Sequence, residues 1–183
     1  MRIDSTTILL DGDPILRQKA AEVPLPLSEE DRTVLLDMLE YVRNSHDPEY
    51  CKENNVRASV GIAAPQIGIS KKLLAVSIVD DEDAVEFALA NPRIIANSTK
   101  KSYLENGESC LSVVPDVEGI VPRYARVTVR AYNLLHDCVE DIRLTGYPAI
   151  VMQHEIDHLY GHLYYDHINK NNPWLDIPGA III

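Results

Sequence analysis

The sequence predicts an α+β fold, with mostly antiparallel sheets packed around a C-terminal helix. Three observations predict it. Apolar residues recur at helical spacing near the N-terminus, strand-like segments fill the middle, and helical spacing returns near the C-terminus. A chain of 183 residues with 46% hydrophobic residues is long enough for one domain, 1–183, with a full core. With one Phe and one Trp, that core is mainly aliphatic.

The first helix is expected over residues 28–44. Ser28 is a capping residue and Asp31 stands at the position of a capping acid, while Val34, Leu35, Met38, Leu39 and Val42 form one apolar face. Residues 47–59 are polar and are expected to form a loop. Strands are expected at 73–79, 84–90, 94–98, 127–132 and 139–144, each bounded by Asp, Asn, Pro or Gly. Asp80-Asp81-Glu82-Asp83 is read as a solvated turn, because consecutive acids on a turn do not converge on a cation. Pro148 suits the first position of a helix, where its missing N–H would be unpaired anyway. Ile150, Val151, His154, His158 and Leu159 follow at helical spacing, and Gly161 is placed to end the helix. The tail from Asn171 to Ile183 is apolar for a terminus and is expected to pack back on the body or lie in an oligomer contact.

The formal net charge of −11 argues against direct nucleic-acid affinity. No apolar run reaches the length of a membrane span, and the start, Met1-Arg2-Ile3-Asp4, lacks a signal-peptide pattern. Three cysteines, an odd count, point to a reducing, cytoplasmic setting without a disulfide framework. Cys51 lies in the polar stretch and Cys138 in an expected hairpin strand, so neither has a chemical context.

The C-terminal helix carries the chemistry. His154-Glu155-Ile156-Asp157-His158 places two imidazoles at i and i+4 on one face, with a carboxylate beside them. The expected architecture is therefore a fold whose sheets surround a metal-binding helix. Two histidines leave a catalytic metal site one ligand short. A third His in the extended zinc-peptidase pattern would fall at position 164, which is Tyr. No Glu follows Glu155, so Asp166 and Asp176 are the downstream substitutes, and His162 reads as a solvated surface residue. The upstream candidate is Cys110, in Glu108-Ser109-Cys110-Leu111-Ser112. A lone Cys there is a small buried hydrophobe unless it meets the two histidines, when S and N donors together suit iron or zinc. A further stretch, Val60-Gly61-Ile62-Ala63-Ala64-Pro65-Gln66, lets backbones come close together. Its Gln66 reads either as a donor to a developing oxyanion or as the partner of nearby backbone.

Together these three stretches resemble the peptide deformylase family, whose motifs are a glycine-containing segment ending in Ala-Ala-x-Gln, a Glu-Gly-Cys-Leu-Ser segment and His-Glu-x-x-His. The order matches, and the interval from Cys110 to His154 resembles the longer variant of Gram-positive bacteria. The likeness runs from residues 11–17 to 164–168 and includes 146–151. The resemblance implies removal of the N-formyl group from the first methionine of new peptides. It implies a divalent ion, natively Fe²⁺ with Zn²⁺, Ni²⁺ or Co²⁺ as substitutes, held by Cys110, His154 and His158. It makes Glu155 the general acid–base, and the Gln66 side chain and Leu111 N–H the oxyanion donors. Val60, Gly61 and Ile62 would pair with an extended peptide. Ser109 would border the cleft, Tyr147, Ile150 and Val151 would receive the methionine, and Arg57 would touch the rim. Glu108 or Asp157 would support a metal-bound His, and Asp157 is alternatively a partner for Arg123. The partners implied are N-formylmethionyl peptides and a transient contact with the ribosome, although no basic C-terminal helix is present to hold its RNA.

Two residues depart from the family pattern. Ser59 and Ser109 stand where glycine is usual. They leave open a catalytically weakened relative that binds peptide ends, beside the deformylase reading and the zinc-peptidase reading of the His-Glu-x-x-His motif.

Overall fold

The computed structural model describes residues 2–79 and 84–183. The acidic segment 80–83 lies outside the described residues. Helix α1 spans Glu29–Asn44, α2 Pro48–Asn54, and strand β1 Gly61–Ala63. Strands β2 (Leu73–Val79), β3 (Ala84–Asn97) and β4 (Lys101–Tyr103) follow, then β5 (Arg123–Tyr124), β6 (Arg126–Asn133) and β7 (Cys138–Thr145). Helix α3 runs over Gly146–Leu159 and strand β8 over Ile181–Ile182. The larger sheet is antiparallel, in the order β1-β2-β3-β6-β7. The smaller sheet has the order β5-β4-β8, with β8 parallel to β4.

Strand β2 shows how the layers assemble. Successive side chains on a strand point to opposite faces. Leu73 and Ala75 pack with Val34, Leu35, Met38, Leu39 and Val42 of α1. Leu74, Val76 and Ile78 pack on the other face with Val151, Met152, Ile156 and Leu159 of α3. The sheet thus lies between two helices, and α3 is buried on most of its surface. A smaller cluster joins Cys110 to Val113, Val121, Leu163, Tyr164 and Ile168.

The expected cap of α1 and the glycine stop of α3 are present. Ser28 Oγ accepts the Asp31 N–H at 3.1 Å and donates to the Asp31 carboxylate at 2.8 Å. At the far end of α3, Gly161 takes φ +79°, its N–H reaches the His158 carbonyl, and the His162 N–H reaches that of Asp157. This left-handed stop closes the last turn. The start expected at Pro148 is corrected: α3 begins at Gly146, and Pro148 is its third residue rather than its first.

Two further expectations are corrected. The loop expected over 47–59 contains α2, where the Asp47 side chain accepts the Glu49 N–H at 2.9 Å and Pro48 opens the first turn. Cys51 therefore lies on a helix, partly buried against the α1-side core. The two strands expected at 84–90 and 94–98 are one strand, β3, with register shifts between Ala90 and Arg93 and between Ile94 and Ala96. Asn91, at φ +52°, makes this possible, because its side chain bonds both the N–H and the carbonyl of Val23. The Asn-Pro pair produces a bulge rather than an end. The tail returns to the body through backbone and polar contacts, as β8 pairs with β4 and Tyr103 Oη donates to Asp176 at 2.7 Å, while Trp174, Leu175, Ile181, Ile182 and Ile183 stay exposed.

Candidate metal and active site

The fold brings Cys110 onto the inner face of α3. The ligand atoms of Cys110, His154 and His158 all lie within 4.8 Å of one another. Cys110 Sγ is 3.4 Å from His158 Nε2. The His154 ring is fixed from two sides. Its Nδ1 lies 2.8 Å from Glu108 Oε2, and Tyr164 stacks on its face with ring centroids 5.9 Å apart. Glu108 is itself gripped by Arg123, whose Nε and second terminal nitrogen reach the two carboxylate oxygens at 2.8 and 2.9 Å. Arg123 also bonds Asp157 at 2.5 Å, and Asp157 takes His167 Nε2 at 2.8 Å. The alternatives open in the sequence thus resolve together: Glu108 supports His154, and Asp157 pairs with Arg123.

These charges set one another's protonation. Burial pushes the Cys110 thiol up, but the two imidazoles outweigh it and draw the pKa from 9.0 to about 5. Burial opposes the charge on His154, yet Cys110 and Glu108 raise its pKa well above the usual value. Burial lifts the Glu155 carboxyl to about 7, against the pull of both histidines.

Glu155 packs directly on β1. A β-carbon at Gly61 would fall 2.6 Å from Glu155 Oε1, so only glycine leaves room for the carboxylate here. Gln66 has a fixed orientation. Its Oε1 accepts the Ala63 N–H at 2.9 Å, and its Nε2 points to Ser112 Oγ at 3.1 Å and Cys110 Sγ at 3.6 Å. Of the two readings of this amide, the bond to nearby backbone is present, and its Nε2 is turned toward Cys110.

A cavity of about 810 Å³ opens beside this group, walled by Gln66, Cys110, His154 and Glu155. Val60, Gly61, Arg57, Ser109 and Leu111 also line it, as do Tyr147, Ile150 and Val151. Ile62 is fully buried in the α1-side core. Arg57 donates to the Leu111 carbonyl at 2.7 Å. Among the described residues, the downstream substitutes stay apart from the three-ligand group. Asp166 is bound by Arg17 at 2.6 Å, Asp176 by Tyr103, and His162 is exposed. Sequence reasoning did not single out Ser112 or Tyr164 as contacts, since each meets the site only through folding. The Leu-Ser pair after Cys110 was the available signal for Ser112.

The donor set fits a divalent ion. One low-pKa thiolate and two imidazoles converge, and the buried Glu155 Oε2 beside them has no hydrogen-bond partner. Three candidate donors, two of them (Cys110 and His154) lining a cavity, match the pattern of a catalytic rather than a structural site.

A sequence profile of the family described as Polypeptide deformylase matches residues 5–174. The chain belongs to the polypeptide deformylase family. It is accordingly a hydrolase, and a Cys/His/His group able to bind a metal agrees with a family of metalloenzymes. Among its relatives, "Peptide deformylase 2" of Bacillus cereus is 53% identical over 168 residues, 91% of each chain. The "Peptide deformylase" of Levilactobacillus brevis is 50% identical over 180 residues, 96% of each chain. Among solved structures, a probable peptide deformylase from Synechococcus phage S-SSM7 superposes with a TM-score of 0.71 at 33% identity, covering 88% of this chain and 98% of that one. Among the described residues, no helix is long and apolar enough to cross a membrane.

Proposed function

We propose that the chain removes the N-formyl group from the N-terminal methionine of newly made peptides. It does so as a cytoplasmic, metal-dependent enzyme with one catalytic domain, 1–183. The observation that carries this reading is the convergence of Cys110 Sγ and two imidazoles beside a cavity that Glu155 lines. Cys110, His154 and His158 would hold the ion, natively Fe²⁺, with Zn²⁺, Ni²⁺ or Co²⁺ as replacements. Bound there, a divalent ion supplies Lewis acidity toward water and the formyl carbonyl.

The remaining work falls to the protein's own groups. Glu155 takes a proton from the attacking water and delivers it to the leaving amine. Its burial suits that double role, since a carboxyl with a raised pKa both accepts and returns a proton. Gln66 Nε2 and the Leu111 N–H donate to the oxygen that gains charge, each contributing about 2.7–4 kcal/mol in the transition state. Glu108, held by Arg123, keeps His154 in one orientation. The peptide lies extended along Val60, Gly61 and Ile62, with Ser109 and Arg57 at the rim. Tyr147, Ile150 and Val151 receive the methionine side chain. The net charge of −11 favours no lasting grip on ribosomal RNA, so contact with the ribosome is transient.

No observation favours the zinc-peptidase reading, because Asp166 and Asp176 are engaged elsewhere. A weakened relative that binds peptide ends draws support only from Ser59 and Ser109. Turnover of formyl-Met-Ala by the Fe²⁺ or Ni²⁺ protein, prepared without oxygen, tests the proposal. Release of formate is expected, and its absence from fully loaded protein would contradict the reading.

A further inference from the structure

Strand β1 is the edge of the larger sheet, so among the described residues one side of it lacks a partner strand. The Val60 carbonyl accepts the Ser77 N–H of the adjoining chain at 3.0 Å. In an antiparallel pair, alternate residues direct their N–H and C=O groups toward the neighbour. Gly61, opposite Val76, therefore turns its polar groups to the open edge. Both of those groups are already engaged. Ser59 Oγ donates to the Gly61 carbonyl at 2.6 Å and accepts the Gly61 N–H at 3.3 Å. The hydroxyl is held on station by its own backbone. The Ser59 N–H donates to Ser45 Oγ at 3.1 Å, and Ser45 Oγ lies 3.0 Å from the Ser59 carbonyl. Ser45 is buried at the end of α1. Ser59 also lines the cavity, beside Gly61 and Glu155.

We propose that Ser59 Oγ competes with the substrate backbone: it occupies the open-edge groups of Gly61 that an added peptide strand must use, and the peptide has to displace it. This rests on the deformylase reading and on strand addition at β1. Ser59 is thus a residue that sets peptide affinity, acting through Gly61 rather than on the reacting atoms. Rotation about one side-chain bond clears the edge, so displacement costs little more than the hydrogen bonds themselves. A hydrogen bond lost to such competition corresponds to a change of about two- to tenfold in affinity.

The test compares wild type with Ser59→Ala, Ser59→Gly and Ser59→Thr on formyl-Met-Ala, using metal-loaded protein and recording Tm for each. The Ala and Gly variants should lower KM about two- to tenfold while kcat changes far less. Ser59→Thr keeps the hydroxyl and should keep the wild-type KM. A KM unchanged or raised in both Ala and Gly variants, with wild type active, overturns the proposal alone and leaves the hydroxyl as a turn-forming group. Wild-type protein without deformylase activity overturns the functional reading and this proposal with it.

Discussion

Glu155 and Gly61 are a matched pair, since the carboxylate occupies the space that any side chain on residue 61 would fill. Glu155→Gln removes the proposed proton carrier but none of the proposed metal ligands. It should retain metal and lose about 10²–10⁴-fold in kcat, checked by metal analysis and formyl-Met-Ala turnover. Gly61→Ala should displace the carboxylate. Its overpacking should cost about 1–3 kcal/mol in a denaturant titration and lower kcat at unchanged metal content. At this scale the sequence was informative where chemistry is local. His154 and His158 share one helical face, with Glu155 beside them, and were legible from spacing alone. Cys110 was legible only as an upstream candidate, because nothing within its own segment says that it meets imidazoles 44 and 48 residues on. Ser112 and Tyr164 were not legible as contacts, since one touches Gln66 and the other stacks on His154 only once distant segments meet.

Three elements are tied together by one side chain. Arg123 opens β5, grips Glu108 in the segment leading to Cys110, and reaches Asp157 on α3. Its side chain is 3% exposed and that of Glu108 is 4% exposed, so removing the guanidinium strands a buried carboxylate. Arg123→Met should destabilise the protein by about 3–5 kcal/mol in urea unfolding. It should also weaken metal affinity by about 10–100-fold, because His154 loses its fixed support. Elements with a strong period were legible: α1 shows a capping residue, a capping acid and an unbroken apolar face. Helix α2 was not legible, because seven residues with no fully buried side chain carry no apolar stripe. Its signal was the cap itself, Asp47 before Pro48. Strand β3 was divided at Asn91-Pro92 because a proline ordinarily ends a strand, whereas Val23 anchors Asn91 and lets the strand continue past it.

Across the whole molecule, acid should act through the buried carboxylates behind the metal site. Burial alone would raise Glu108, but Arg123 and His154 hold it at about 2. Burial likewise opposes Asp157, and His167 and Arg123 hold it at about 2. Both folded values lie below the ordinary 4.5 and 3.8. The stability they contribute is therefore complete above pH about 4.5 and is lost as pH falls toward about 2. The urea midpoint of metal-free protein should drop across that window, and Arg123→Met should flatten the drop; a wild-type midpoint level down to pH 2 would contradict the assignment. The layered α+β architecture was legible because α1, α3 and most strands carry their period in the sequence. The closeness of residues 108–112 to α3 was not, because it depends on how the irregular chain between β4 and β5 is laid down. That closeness is the central claim, and metal stoichiometry tests it most directly. After loading with Ni²⁺ and desalting, wild type should hold one ion per chain, while a Cys110→Ala variant of unchanged circular dichroism should hold far less. A Cys110→Ala protein that keeps a full equivalent of metal would contradict it.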